Sequence, residues 1–417
     1  MTTSSLARES IHLSRDRAFI VWVLLTLALS VLAVAGGLEE VRTQEQTIER
    51  LIESDREDRL EALALHDDWG MAAYYSFHLT YDKPSDFAFA ALGVRDSEPW
   101  KHRVRMLALE GQIYERDAGN PELALIGRFD FAFFAAFVLP VILIVILHDL
   151  QASERSAGRH ALLVSTSGST SSPWLTRALL RATAIFVAAV IPLVIGAVMS
   201  GTSGGVLLFA VAGIAAYLAL WSAGAYFAAR WERSSSVILA SLLGIWVLVG
   251  IVGPAAGKLA IDRLVTVPEG ANILLTQREA VNDAWDLPKE ETMDPFVEEH
   301  PEWADYTKTE QSFEWKWYYA FQQVGGQRVA PLSEAYRAGR IARDSAAGAL
   351  SLFTPPALLE RFLQKLASTD LAAHLAYEQR VRAFHRELRD YYYPKLFREE
   401  PYEAAALEEL PDFNSDS

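Results

Sequence analysis

The chain contains no cysteine among its 417 residues. Any part that lies outside the cytoplasm must therefore fold by burying apolar surface, because disulfides cannot stabilise it. Charge is also missing from long stretches. No Asp, Glu, Lys or Arg occurs between Arg181 and Arg230, and residues 18–38, 131–147 and 234–257 lack these four types as well. Such runs argue against an ordinary soluble protein, in which a helix keeps one polar face toward water.

The uncharged runs are long enough to cross a membrane, since about 20 apolar residues span the ~30 Å hydrocarbon layer. We predict an α-helical membrane protein with five spanning helices, at residues 18–38, 129–147, 179–200, 205–229 and 235–257. SGTSGG at residues 200–205 divides the longest run, because Gly and Ser favour a turn. Ala33-Val34-Ala35 resembles a signal-peptide cleavage site, but the first run exceeds a usual signal core. The first helix is therefore predicted to be an uncleaved anchor.

The charges predict an orientation. If the helices alternate, the basic residues near their ends fall on one side, and the positive-inside rule places that side in the cytoplasm. These residues are Arg8, Arg15, Arg17, Arg155, Arg159, Arg177, Arg181, Arg230 and Arg233. Residues 39–128 carry a net charge of −8 and residues 258–417 one of −10. Both regions are predicted to be extracytoplasmic, and the N-terminus to be cytoplasmic.

Four parts follow from this orientation. Residues 1–38 hold the N-terminal segment and first span, and residues 39–128 form a first extracytoplasmic region. Residues 129–257 hold the other four spans, and residues 258–417 form a second, mainly helical extracytoplasmic domain. Residues 39–65 are strong helix formers without Gly or Pro, so they are expected to continue the first helix.

Three local predictions concern the last domain. A helix is expected to start at Thr354 with Pro355 in its first position. Another is expected from about Asp370 to Tyr392, ended by Pro394. The aromatic cluster at residues 313–321 suits the domain core or the headgroup interface, although it could also line an apolar substrate groove.

Signatures of catalysis are missing. GIVGPAAGKL at residues 250–259 has neither the spacing nor the Ser/Thr of a phosphate-binding loop. None of the nine His residues forms a His-Glu-x-x-His motif or a convincing metal-binding pair. The uncharged spans disfavour an intramembrane hydrolase and a proton-coupled carrier. We therefore predict no catalytic residue, metal or cofactor in this chain, no enzymatic activity of its own, and no nucleic-acid partner.

Residues 148–176 form a short polar segment between the second and third spans. The sequence DLQASERSAGRHALLVSTSG predicts one amphipathic, turn-rich helix here. Leu162, Leu163 and Val164 form its apolar part, and Glu154, Arg155 and Arg159 its polar part. The segment could be a solvated connector at the headgroups or a docking element for a cytoplasmic motor.

A helix followed by Asp-[Leu/Ile]-x-x-x-Glu-Arg-x-x-Gly and then Leu-Leu-x-Ser resembles the coupling segment of type-2 ABC exporter permeases. Asp149, Glu154, Arg155 and Gly158 match this pattern. The family usually has Glu-Arg-Glu-x-Gly-Thr-Leu, whereas here Ser156 replaces the second acidic residue and Arg159-His160 replaces Thr-Leu. NPELALIGRFDFAFF at residues 120–134 and the stretch at 354–394 are similar to a bacterial subgroup of these permeases. That subgroup carries a large extracytoplasmic domain of unknown function and is similar to gliding-motility and copper-delivery permeases.

The resemblance implies a permease subunit in the bacterial inner membrane. It would pair with a second permease subunit, either a copy or a paralogue, among membrane lipids, and with a cytoplasmic ABC ATPase subunit that holds ATP and Mg. Asp149, Glu154, Arg155 and Gly158 would couple ATP hydrolysis to export, or to mechanical action on the outer domain. Glu154→Ala or Arg155→Ala is then expected to weaken ATPase stimulation. Such permeases usually have six spans, one more than predicted here.

A different class of function remains open. The chain could be a membrane-anchored assembly or sensor protein whose outer domain binds a partner without ATP.

Overall fold

A computed structural model of the chain describes residues 3–114, 129–167, 169, 171–403, 406 and 409–415. Five helices within these ranges are long and apolar enough to cross a membrane: Arg17–Ala64, Phe131–Ser156, Ser172–Ser200, Gly204–Ala228 and Ser235–Leu264. They coincide with the five predicted spans, so the prediction of an α-helical protein with five membrane-length helices is confirmed. The first helix continues to Ala64, as its composition predicts.

Helices dominate the described residues. In chain order the elements are α1 (Thr3–Arg15), α2 (Arg17–Ala64), α3 (Trp69–Tyr75), β1 (His78–Tyr81), β2 (Lys101–Val104), α4 (Leu109–Tyr114), α5 (Phe131–Phe133), α6 (Leu139–Leu147), α7 (Ala152–Ser156), α8 (His160–Ser167), α9 (Ser172–Ser200), α10 (Gly204–Ala228), α11 (Ser235–Val247), α12 (Gly253–Leu264), α13 (Gly270–Asp283), α14 (Lys289–Glu299), α15 (Trp315–Ser351), α16 (Pro355–Leu366) and α17 (Leu371–Phe397).

Two of the spans contain a π-helical turn. The turn Phe134–Val138 joins α5 to α6, and Leu248–Val252 joins α11 to α12. A proline follows each turn closely and has no N–H to donate, so the backbone there must find other partners. Pro140 lies four residues after Ala136, and the carbonyl of Ala136 accepts a hydrogen bond from the Tyr217 hydroxyl of α10 at 2.5 Å. This bond satisfies a polar group that lipid cannot satisfy.

Small residues bring α2 and α9 close together. A Cβ added to Gly196 of α9 would lie 2.7 Å from side-chain atoms of both Val34 and Phe89. Ser30 Oγ of α2 donates to the carbonyl of Ala189 at 2.6 Å. Close packing and interhelical hydrogen bonds hold membrane helices together, because apolar burial alone favours a neighbouring helix no more than lipid.

The polar domain is built from both long polar stretches of the chain. We use this name for residues 65–114 and 265–415 as far as they are described. Strands β1 and β2 pair antiparallel, with His78 opposite Val104 and Tyr81 opposite Lys101. The core buries residues from both stretches, among them Trp69, Ala73, Val104, Met106, Phe296, Trp317, Phe321, Val381, Phe384 and Leu388. The two stretches therefore fold as one unit.

The aromatic cluster at residues 313–321 supplies much of that core. Trp317, Tyr319 and Phe321 are buried. Trp317 Nε1 donates to Thr292 Oγ1 at 2.9 Å, and the Tyr319 hydroxyl donates to the carbonyl of Gly70 at 3.0 Å. Buried Trp and Tyr need such partners for their polar atoms. The core placement is confirmed for these three side chains.

Two predicted helix ends have different outcomes. α16 begins at Pro355 after Thr354, as predicted, although the Thr354 hydroxyl donates back to Leu350 instead of capping the helix. The prediction that Pro394 ends the last helix is wrong, since α17 runs on to Phe397. A proline near the last turn removes a single helical hydrogen bond, which the helix tolerates. The helix ends at Phe397, and Glu399 just beyond it has a left-handed φ of 53° that turns the chain away.

The polar domain sits against one end of the spanning bundle. Gly37 of α2 contacts the backbone of Phe89 so closely that a Cβ would come within 1.9 Å of its carbonyl oxygen. The Asp130 carboxylate accepts from Phe133 N at 2.8 Å and from Leu92 N at 2.9 Å. This ties the start of the second span to the polar domain. Thr202, just after α9, also donates to the carbonyl of Asp86 at 2.8 Å.

Candidate functional site

Residues 148–176 lie at the opposite end of the bundle from the polar domain. The predicted single amphipathic helix is wrong, because two short helices, α7 and α8, occupy this segment. The side chain of Leu162 is 63% exposed, whereas Leu163 and Val164 are half-buried. Three consecutive residues point about 100° apart around a helix, so they cannot share a single narrow face. Residues 168 and 170 lie outside the described part of the segment.

Gly158 makes the turn that separates the two helices. Its φ of 70° lies in the left-handed region, which glycine adopts without a Cβ clash. The N–H of Arg159 donates to the carbonyl of Glu154 at 2.9 Å, and that of Gly158 donates to Arg155 at 3.1 Å. This pair of bonds is the Schellman motif that ends a helix at a glycine. Gly158 thus has a backbone role, which the family resemblance alone does not assign to it.

Glu154 lies inside a chain of charges. One of its carboxylate oxygens accepts from Arg159 Nε at 2.8 Å, and the other accepts from Arg177 Nη1 at 3.0 Å. Arg177 also donates through Nε to Glu9 at 2.8 Å. The charges of Glu9, Glu154 and Arg177 therefore link α1, α7 and α9. Their side chains are only 12–17% exposed, so water screens these contacts little.

Arg155 links the segment to the turn between α10 and α11. Its Nη2 donates to the carbonyl of Trp231 at 2.6 Å and lies 3.4 Å from that of Ala229. Nη1 lies 3.3 Å from the side-chain oxygen of Gln151. Arginine can serve several carbonyls at once because its planar head carries five N–H donors. Arg155 therefore joins residues 148–176 to the turn between α10 and α11 at this end of the bundle.

Asp149 takes no part in these side-chain contacts. Its carbonyl accepts from Ser153 Oγ at 2.9 Å, while its Oδ1 is buried and has no hydrogen-bond partner among the described residues. Of the four predicted site residues, Glu154 and Arg155 thus make long-range contacts, Gly158 shapes the backbone, and Asp149 stands apart.

Sequence reasoning missed three contributors to the site: Glu9, Arg177 as a bridge, and Trp231. Glu9 is the single acidic residue of α1. An isolated carboxylate in a basic segment is a signal for an ion pair, but the sequence does not say with which arginine. Trp231 contributes through its backbone carbonyl, which leaves no signal in side-chain chemistry.

The solvent-exposed surface of residues 148–176 and the α10–α11 turn combines a basic side chain with exposed apolar side chains. Residues 156–159 are exposed, and the Arg159 side chain is 61% exposed. Leu162 and Trp231 add apolar area, with Trp231 47% exposed. Behind this surface, the His160 ring stacks on the buried Trp174 with 5.3 Å between centroids. A rigid surface of this kind can receive a partner and pass displacement to the helices behind it.

The comparisons with known proteins bear on the polar domain. Residues 271–415 match the family model described as Domain of unknown function (DUF3526). The match covers α13 through α17 with the chain end, and leaves out the spans and residues 148–176. No curated protein and no solved structure matches the chain.

Among the described residues, no group of three or more His, Cys, Asp or Glu side chains is placed to hold a metal ion. The part of residues 120–134 that precedes Phe129 lies outside the described residues, so that stretch of the family resemblance has no structural account.

Proposed function

We propose that the chain is the membrane-spanning permease subunit of an ABC exporter, with residues 148–176 as the element that receives a separate cytoplasmic ATPase subunit. The chain itself would have no ATP site and no enzymatic activity. ATP and Mg would belong to the ATPase, and a second permease subunit would complete the transporter within the lipids of a bacterial inner membrane.

The observation that carries the proposal is the bridge from Glu154 through Arg177 to Glu9. It joins the 148–176 segment to α1 and α9 with contacts of 2.8–3.0 Å. A docking element transmits motion only if it is rigidly attached to the helices that must move. The same rigidity would be unnecessary in a solvated connector.

The structure changes the expected roles of the four site residues. Glu154 and Arg155 are engaged within the chain, so their replacement would loosen the receiving surface without deleting a partner contact. Leu162 points outward, and Arg159 is 61% exposed although its Nε donates to Glu154. These are the side chains that a partner would meet first. An exposed apolar side chain next to a basic one is complementary to a groove on the ATPase that is lined by acidic residues.

The test is co-purification of an ATPase with the full chain in mild detergent, followed by its ATP hydrolysis rate. We expect Leu162→Asp to abolish co-purification, and Leu65→Asp to leave it unchanged. Leu65 is a matched control, since it is 81% exposed and lies at the polar-domain end of α2. Failure of the wild-type chain to retain an ATPase in several detergents would contradict the proposal.

That failure would favour the second candidate, a membrane-anchored assembly or sensor protein. The extent of the polar domain, which joins two distant stretches in one core, supports this alternative. Its partner would then bind on the polar-domain side, and Leu162→Asp would have no effect on partner binding.

A further inference from the structure

The turn between α15 and α16 directs two large apolar side chains outward. Leu352 is 67% exposed and Phe353 is 79% exposed, whereas Ser351 and Thr354 on either side of them are buried. We call Leu352 and Phe353 the exposed pair. They lie within residues 345–359, which contain no Asp, Glu, Lys or Arg. Adjoining exposed apolar side chains mark contact with a protein partner or with a membrane.

Two glycines of the fifth span show how the turn runs beside it. A Cβ added to Gly257 would clash with the side chain of Leu350, at the end of α15. A Cβ added to Gly250 would lie 3.5 Å from Pro356 Cγ, at the start of α16. The chain therefore passes along the fifth span, from Gly257 towards the middle of the span, as it turns from α15 into α16. The exposed pair lies between these two contacts.

The contact at Gly250 lies at the depth of the hydrocarbon layer. The uncharged run at residues 234–257 is about 36 Å long at about 1.5 Å per residue, which is about 6 Å more than the ~30 Å layer. If the excess is shared between the two ends, Gly250 lies about 9 Å inside the layer and Gly257 lies close to its edge. The exposed pair then lies in the part of the hydrocarbon nearest the polar domain.

The backbone of the turn suits a place without water. The N–H groups of residues 352–354 donate to the carbonyls three positions earlier, at 2.9–3.3 Å. Pro355 and Pro356 follow, and proline has no N–H. The hydroxyls of Ser351 and Thr354 donate to backbone carbonyls as well, at 2.7 and 3.3 Å. Lipid offers no hydrogen-bond partner, so a segment that enters it must satisfy its polar groups within the protein.

The charged side chains of α16 are directed at other polar groups. Arg361 donates to Asp344 of α15 at 2.8 Å. Glu360 interacts electrostatically with Asp130, at the start of the second span. Leu359, in contrast, is buried among the apolar residues of the spans. α16 thus separates its charges from an apolar side, as an amphipathic helix at a membrane does.

The fifth span is covered by lipid at the same depth. Leu248, Ile251 and Val252 lie within two residues of Gly250 and are 48–58% exposed. Apolar side chains on a membrane helix face hydrocarbon when no other helix covers them. Because the turn passes Gly250 at this depth, the lipid that covers these side chains also reaches the exposed pair.

We propose that the α15–α16 hairpin dips into the membrane and that Leu352 and Phe353 contact lipid hydrocarbon in the leaflet nearest the polar domain. A part of residues 258–417, which the charge pattern predicts to be extracytoplasmic, would then anchor the polar domain in the bilayer. The inference uses only the membrane crossing of the five helices. It is therefore independent of the proposed permease role and would hold equally for an assembly or sensor protein.

The lack of cysteine allows a direct test, because a single introduced cysteine is the only site for a thiol-reactive fluorophore. The full chain with Phe353→Cys is labelled with bimane and placed in phosphatidylcholine nanodiscs whose acyl chains carry bromine. Bromine quenches a fluorophore that lies in the hydrocarbon, whereas iodide in the buffer quenches one that lies in water. We expect quenching by the brominated lipid and loss of quenching by iodide.

Two further labelled positions calibrate the measurement. Ile251→Cys lies on the fifth span and should be quenched by brominated lipid alone. Leu65→Cys should be quenched by iodide alone, because Leu65 is 81% exposed and lies about 40 Å along α2 from Leu38, the end of the first uncharged run. Leu352→Cys repeats the test at the neighbouring position. Far-ultraviolet circular dichroism and thermal unfolding of each labelled chain identify any that misfold.

Three results would overturn the proposal. Iodide quenching at position 353 as strong as at position 65 would place the turn in water. Protection of position 353 from both quenchers would mean that protein, such as a second copy of the chain, covers the exposed pair instead of lipid. A failure of brominated lipid to quench at position 251 would refute the membrane crossing on which the proposal rests. Retention or loss of an ATPase decides the permease role separately and changes none of these outcomes.

Discussion

Replacing Arg177 with glutamine removes a cation that serves two carboxylates at once. Its Nη1 lies 3.0 Å from Glu154 and its Nε lies 2.8 Å from Glu9. Glu154 would keep a contact with Arg159, but that side chain is 61% exposed while Arg177 is 12% exposed. The two partners of Glu154 therefore differ chiefly in how far water screens their attraction.

This difference sets the expected magnitudes. A hydrogen bond to a charged group that is shielded from water contributes about 1.5–3 kcal/mol. An exposed ion pair contributes about 0.2–1 kcal/mol. In double-mutant cycles, the coupling energy of Glu154→Gln with Arg177→Gln should thus exceed that of Glu154→Gln with Arg159→Gln by about 1 kcal/mol or more.

The measurement is reversible unfolding in mixed detergent micelles, followed by far-ultraviolet circular dichroism for the wild type, single variants and double variants. The Arg159 cycle is the internal control, since it removes an identical head group from the same carboxylate. Equal coupling energies in the two cycles, or a larger one for Arg159, would refute the argument that burial sets the strength of this bridge.

Three further predictions concern single residues. Gly37→Ala should sharply lower thermal stability, because its Cβ would lie 1.9 Å from a backbone carbonyl oxygen of the polar domain, whereas Gly36→Ala, with open space around it, should be neutral or slightly stabilising. Gly158→Ala should cost about 1–2 kcal/mol of unfolding free energy through its left-handed φ, while Gly224→Ala inside α10 should not destabilise. Burial raises the pKa of Glu360 from 4.5 to about 7, so the folded state keeps a proton that the unfolded state releases. Unfolding free energy should therefore fall as pH rises from 4.5 to about 7, and Glu360→Gln should remove that fall in a pH series of thermal unfolding.

The spans could be predicted from the sequence because their signal is local. A run of about 20 residues without charge needs no knowledge of the rest of the chain. The continuation of the first helix through residues 39–64 can also be predicted from the sequence, because it depends on strong helix formers and on the lack of Gly and Pro. The end of α17 was not, because its left-handed residue is Glu399, a type that gives no turn signal.

The single core of the polar domain could not be predicted in the same way. Trp69 Nε1 donates to the carbonyl of Pro401 at 3.1 Å, across 332 positions of the chain. Contacts over such separations follow from the three-dimensional arrangement and leave no periodic pattern. The division of the chain into four parts stays a prediction, although two of those parts contribute to one core.

In the candidate site too, the local turn could be predicted from the sequence, whereas the contacts between distant residues could not. Gly158 lies in a stretch where a turn was expected, and the structure gives that turn its geometry. The sequence does not show that Arg177, 23 positions from Glu154, bridges it to Glu9 across a further 168 positions. It also does not show the Trp231 contact of Arg155, since that contact uses a carbonyl. Residue types alone identify charges that need partners, but not which ones they find.

α9 is the element through which the two ends of the bundle can influence each other. Its first turns hold Arg177, and the residues near its end contact Val34, Phe89 and the carbonyl of Asp86. At 29 residues it is about 43 Å long, which is longer than the ~30 Å hydrocarbon layer of a membrane. The apolar runs at residues 18–38, 131–147, 182–229 and 234–257 offer no ionised group to a hydrophilic cargo. The proposed permease has two modes open to it, export of a cargo and mechanical action on the polar domain. These features fit mechanical action, or export of an apolar cargo, better than passage of a charged solute.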